Sequence, residues 1–484
     1  MRPQHVPTDD TGKRSRSPVS WRAVEVRRSK APLWSLVLLP LLAVLGVSLS
    51  GCAWERPEDP VVVTGAEVPR LVGVPPGEVI AYRWLNDRWE QLPVQVDERA
   101  LIDLGSVYNQ APNGFRVLTY TDPGTFAGPD PNVALDGDDE IAFMGIDAGV
   151  KANAGSRPPD VVAGSGEEIR IHDPVGNPAD AYVYLYRQTG NLPQDAGRSY
   201  VDYDFNLLSG GYKATYKLQD GPNPEDSTVE TPYYSRHFAD RWTSDGLRIA
   251  APGASGADIL DRHKNLFAPG TCGRSEDTFD DAEGAFIVNK SGPIRAIRSY
   301  IGANSGPLTG RQHIFYERSE EITTFLRVHA IPGVMDFFDY SPAATGMTYR
   351  SDVDRDGVTI DGQPDSVDSG RIRWETVDGS QGGLSIVHDV DTDIAGLGWT
   401  SYYFDDSTPA SSAPEKQCTG DNAAYGSSGV YVNQSIPNTD PRTTPFKSLT
   451  DRRTIFYERP GQANGVKRAE QLDRPMEVAV TPAD

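Results

Sequence analysis

The chain has 484 residues, of which 68 are Asp or Glu and 46 are Lys or Arg, giving a net charge of −22. A surface this acidic repels phosphate backbones, whose binding needs clustered Lys and Arg to release counterions; nucleic acid is not an expected partner. Acidity favours solubility and divalent cations instead.

The first element is a leader. Arg22, Arg27, Arg28 and Lys30 precede an apolar run at residues 33–49, the charged-then-apolar order of an export signal. The run has 17 residues and contains Pro40, whereas a bilayer-spanning helix needs about 20 consecutive apolar residues. We therefore read it as a signal rather than a span. It closes in Leu49-Ser50-Gly51-Cys52, which resembles the lipobox of bacterial lipoproteins. That resemblance implies removal of residues 1–51, lipidation of Cys52, and a protein tethered to a membrane outside the cytoplasm. Residues 1–51 hold eight basic and three acidic groups, so the remainder would carry 38 basic and 65 acidic residues, a net of −27. Residues 53–60 make a short polar tether.

The body is rich in Gly (47) and Pro (38), and apolar and polar residues alternate over short runs, as strands do. Such runs fall at 182–187, 212–218, 314–318, 324–330, 371–376 and 384–388, and residues 476–480 suit a last strand. Only residues 257–267 have the spacing of a short amphipathic helix. The expected fold is all-β, a large antiparallel β-sandwich or two packed β-sandwiches. Gly and Pro near residues 189–198 mark a weak boundary between a region at 61–190 and one at 191–484, which together can also form one continuous domain.

In chain order, the first chemical signal is an oxygen-rich stretch: Asp130 and Asn132, then Asp136, Asp138, Asp139 and Glu140 ahead of an apolar strand. Acids this close repel unless a cation, solvent or a basic partner intervenes. Calcium is one solution, and Arg or Lys from elsewhere is another.

Cys272 and Cys418 remain once Cys52 is committed to lipid. An even pair in loops of an exported protein is expected to form a disulfide.

Between residues 295 and 340 the chain is dense in reactive groups, among them Arg298, Tyr300, Asn304, Arg311, His313, Glu317, Arg327 and His329. Alternation assigns Ile314, Tyr316, Leu326 and Val328 to a core and the odd-numbered residues to the other face. A hairpin that keeps both core faces together sets Arg311 opposite His329, His313 opposite Arg327 and Phe315 opposite Phe325. Two His, two Arg and Glu317 would then share one face, as a salt-bridged outer surface or as a ligand surface. Arg forks bind carboxylates and His moves protons near neutral pH, which suits an acidic sugar.

Asp352, Asp354 and Asp356, the Val358 carbonyl, and then Asp361, Asp365 and Asp368 have the alternate spacing that wraps a hard cation, with Gly357 at the turn. The pattern resembles the calcium loops of EF-hands, dockerins and thrombospondin type 3 repeats. It departs from the EF-hand at the twelfth position, Gln363, and implies a stand-alone calcium loop between strands.

No G-x-S-x-G, H-E-x-x-H, Walker or C-x-x-C motif occurs, and no nucleotide site is expected. Two functions remain. One is an exported, calcium-stabilised β scaffold binding a surface glycan or an envelope protein; the other is a lyase acting on an acidic polysaccharide.

Overall fold

The computed structural model describes residues 56, 58–112, 114–176, 179–215, 224–267, 284–302, 309–327, 331–408, 423–436 and 447–483. Cys52, Cys272, Cys418, Asn304 and His329 lie outside them, as does the leader. Among the described residues no helix is long and apolar enough to cross a membrane.

The largest element is a nine-stranded antiparallel sheet. Its order is Ala285–Lys290, Ala296–Ile301, Thr309–Phe315, Ser319–Arg327, Ser448–Glu458, Gly382–Thr392, Trp374–Gly379, Thr348–Ser351 and Val358–Thr359. Two four-stranded sheets pack on its inner face. One contains Leu260–Phe267, Val334–Tyr340, Ala424–Val432 and Thr400–Asp406; the other contains Asp202–Asp204, Ser227–Glu230, Tyr234–Phe238 and Ser244–Ile249. The shared core includes Phe315, Ile322, Ile386 and Ile455 from the large sheet, Phe338 and Tyr340 from the first small sheet, and Tyr234, Phe238 and Leu247 from the second.

A second sandwich pairs a three-stranded sheet with a five-stranded one over Val63, Ile141, Phe143, Val79, Ile169 and Leu185. The last strand, Glu477–Pro482, joins this sandwich by pairing with Glu167–His172. That pairing bridges the boundary expected near residue 190, and Ser50–Asp484 form one compact unit. The all-β, packed-sandwich architecture is thus what the alternation implies.

Three local expectations fail for physical reasons. Residues 257–267 do not make a helix: Leu260–Phe267 is a strand paired with Val334–Tyr340, because a short apolar run cannot be told from a helix by periodicity and the neighbouring strand decides it. Residues 212–215 form a turn and coil rather than a strand. The third concerns register. Arg311 faces Thr324, His313 faces Ile322 and Phe315 faces Glu320. The Tyr316 N–H donates to the Ser319 carbonyl at 2.8 Å, a tight turn with only Glu317 and Arg318 between, and turn length sets hairpin register.

Candidate functional site

The tight turn brings odd positions of Thr309–Phe315 and even positions of Ser319–Arg327 onto one face, and that face looks inward. Arg298, His313, Ile322, Arg453 and His388 lie abreast across five neighbouring strands. The next row is Tyr300, Arg311, Thr324, Asp451 and Val390. Arg298, Arg311 and His313 are 0% exposed, so the polar-outside reading of this hairpin is overturned. A buried ion survives only with a partner, and the partners come mainly from other strands. Glu225 takes a two-pronged contact from Arg298 at 2.8 and 2.7 Å. Asp336 accepts from His263 at 2.8 Å, pairs with Arg453, and has Arg311 3.5 Å away.

His313 illustrates how these groups are occupied. Its Nδ1 lies 2.9 Å from Glu320 Oε1 and its Nε2 3.1 Å from Tyr300 Oη. Burial, with the Arg311 and Arg236 charges adding to it, outweighs Glu320 and lowers its pKa to about 3. The neutral ring then donates from Nδ1 to the ionised Glu320 and accepts the Tyr300 hydroxyl at Nε2. Glu320 also accepts Tyr457 Oη at 2.6 Å.

Asp336 and Asp451 are pushed apart. Burial raises both, but Arg453 and Arg311 outweigh it at Asp336 and hold that carboxyl well below the usual range. Burial and the Asp336 charge lift Asp451 to about 6, and neither of its oxygens has a hydrogen-bond partner. Both acids line a cavity of about 20 Å³ with Asn265, Thr324, Leu326 and Trp399. That volume holds about one water molecule, not a sugar ring.

The outer face of the same strands is different. Ser299, Gln312 and Thr323 lie abreast, and Thr450 faces Phe325. Together with Thr119, Ser448, Ile287, Val117 and Leu118 they line an open cleft of about 280 Å³ that contains no charged side chain. One wall is the hairpin Arg99–Asp103 and Arg116–Tyr120, where Leu101 pairs with Leu118 and both are exposed. Gly310 permits the opposite wall: a Cβ there would meet the Phe325 ring at 2.3 Å.

The sequence-derived candidates therefore divide. Arg298, Tyr300, Arg311 and His313 are brought together, but inside. Glu317 sits in the tight turn and pairs with Arg198. Arg327 closes its strand. The cleft residues Ser299, Gln312, Thr323 and Thr450 escaped sequence reasoning because neutral polar residues alternating in a strand carry no signal beyond the strand itself.

The Asp352–Asp368 loop does not gather its carboxylates. Asp354 accepts the Gly357 and Asp368 N–H groups, each at 3.2 Å, and Asp352 accepts the Arg373 N–H at 3.0 Å. Val358 lies in a strand opposite Tyr349. Asp361 accepts the Gln363 N–H at 2.9 Å, and Asp365 meets Tyr403 Oη at 3.5 Å. Among the described residues, three acidic ligands come within 4.8 Å of one another at Asp136, Asp138 and Asp139. Glu140 turns away to Arg99, Arg295 and Tyr120.

No family model matches the chain, and no curated protein matches it. Solved structures with partial fold overlap include a putative aldose 1-epimerase from Escherichia coli K12, at 11% identity over 53% of this chain and 100% of that one, TM-score 0.28. Another is a family GH92 alpha-mannosidase from Bacteroides thetaiotaomicron, at 10% identity over 57% of this chain and 33% of that one, TM-score 0.26. Overlaps this loose carry no argument about activity.

Proposed function

We propose that the protein is an exported, lipid-anchored envelope protein that holds a neutral saccharide in the cleft on the outer face of the nine-stranded sheet. One observation carries this reading: the side chains of Ser299, Gln312, Thr323 and Thr450 line an open cleft yet make no hydrogen bond to any described residue. Hydroxyl and amide groups can both donate and accept, which matches the hydroxyls of a sugar. The Phe325 ring beside them offers an apolar surface for a sugar's C–H face. The cleft volume is near the lower end for ligand pockets and suits one or two sugar units.

The acidic-polysaccharide lyase asks for His313 or His329 and an arginine on one open surface, and His329 lies outside the described residues. His313 and Arg311 are buried between sheets, and the open cleft has no charge to meet a uronate. A neutral ligand is the better fit.

A glycan array probed with the full-length protein in detergent should show binding to neutral oligosaccharides, reduced in Gln312→Ala. Retention on uronate polymers alone would overturn the reading. The anchor and the cross-link have their own tests: Cys52→Ser should shift the protein out of the membrane fraction, and reduction should free two thiols assigned to Cys272 and Cys418.

A further inference from the structure

We infer that a second cavity on the outer face of the nine-stranded sheet takes a protonated amine, so that the neutral unit held in the cleft continues into an amino sugar. The inference rests on the saccharide reading and extends it. This cavity is about 280 Å³, the same volume as the cleft. Glu321, Thr454 and Phe456 line it from the large sheet, and Asp59, Val62 and Val478 line it from the side of the second sandwich.

The cavity and the cleft share two strands. Thr323 of the cleft and Glu321 of the cavity are two positions apart on Ser319–Arg327, so their side chains leave the same face about 7 Å apart. On the neighbouring strand, Ser448–Glu458, Thr450 lines the cleft and Thr454, which faces Glu321, lines the cavity; these two are about 13 Å apart along the strand. A short oligosaccharide laid along the strands reaches both.

The two cavities differ in charge. No described residue makes a hydrogen bond to the side chain of Asp59 or Glu321, and the cations whose fields reach them are committed to other acids. Arg56 lies 3.9 Å from Asp59 but holds Asp173 at 3.0 Å and the carbonyls of Gln471 and Arg474. Arg468 holds Glu458 at 3.0 Å. Near Glu321, Arg295 holds Asp97 and Glu140, and Arg452 holds Asp389. Burial therefore lifts both carboxyls, Asp59 to about 6, and a cation entering the cavity would lower them again. An ammonium supplies that charge and three N–H donors. Phe456, Val62 and Val478 offer apolar surface to the C–H face of the same sugar, whereas a uronate would meet like charge.

The test is calorimetry of the full-length protein in detergent near neutral pH with two probes, the β-1,4-linked tetramer of glucosamine and the same tetramer with every amine acetylated. Wild type should bind the free-amine form at least about tenfold more tightly, a difference of about 1.4 kcal/mol. Glu321→Gln and Asp59→Asn should each bring the two affinities within about threefold of one another, and thermal melting shows that each variant is folded. Gln312→Ala should weaken both forms, which reads the cleft itself. Equal affinity of wild type for the two forms would overturn the amine site and leave the saccharide reading standing, as would a preference kept in both acid variants, the result of a merely acidic surface. Free-amine binding that Gln312→Ala leaves intact would overturn the shared ligand. Binding of neither form by wild type would overturn the inference as well, while the array of neutral oligosaccharides still judges the cleft.

Discussion

On the inner face of the nine-stranded sheet, Arg298, His313, Arg453 and Glu320 meet groups of opposite charge or complementary hydrogen bonding from neighbouring strands and facing sheets. On the outer face of the same strands, the side chains of Ser299, Gln312 and Thr323 make no hydrogen bond to a described residue, and Ser299 is buried. The residues with the richest chemistry are occupied with each other, and the plainer ones are left available. Side-chain type alone is therefore a poor guide to a binding surface. What matters is whether the fold has already supplied a partner, as Glu225 does for Arg298 and no described residue does for Gln312.

The contrast can be broken first at Glu225. Removing it as Glu225→Ala leaves Arg298 buried without its counter-charge, and breaking a buried pair in this way costs about 3–5 kcal/mol; urea unfolding should show it. A loss below about 1 kcal/mol would mean that water reaches the inner face.

Next in size is Asp451→Asn. A carboxyl lifted from 3.8 to about 6 is protonated more readily in the folded than in the unfolded state. Wild type therefore loses up to about 3 kcal/mol as pH rises from 4 through 6. The asparagine has no such term, so the variant's stability relative to wild type should increase over that window. A difference independent of pH would contradict the burial of Asp451 without a hydrogen-bond partner, its nearest cation being Arg453 at 3.8 Å.

On the outer face, Gln312→Ala should change stability by less than about 0.5 kcal/mol while weakening a bound saccharide about tenfold, the effect of about 1.4 kcal/mol of lost hydrogen bonding. Smallest of all is Arg452→Ala. Its pair with Asp389 at 3.1 Å is about half exposed on both sides, and such pairs are worth about 0.2–1 kcal/mol.

Much of the fold was legible because the runs read as strands at 182–187 and 384–388 lie within the strands Ala181–Arg187 and Gly382–Thr392. The site was not, for two reasons. The two-residue turn at Glu317 and Arg318 shifts register by an odd number, which moves Arg311 and His313 from the expected outer face to the inner one. The counter-charges that make such burial tolerable, Glu225 and Asp336, come from segments separated from Arg298 and Arg453 by 73 and 117 positions. Spacing along one strand cannot reveal them. In the Asp352 loop, Asp352, Asp354 and Asp361 accept backbone N–H groups, contacts that a strand pattern does not show. Asp136, Asp138 and Asp139 converge because the loop is pinned against Gly65, about 70 residues earlier in the chain.

The central claim is that ligand binding belongs to the outer face. It is tested most directly by calorimetry of the best-binding neutral oligosaccharide against the full-length protein, Gln312→Ala and Asp451→Asn. The account predicts about tenfold weaker binding for Gln312→Ala and wild-type affinity for Asp451→Asn. Unchanged affinity in Gln312→Ala with binding lost in a folded Asp451→Asn would place the ligand on the inner face and contradict it.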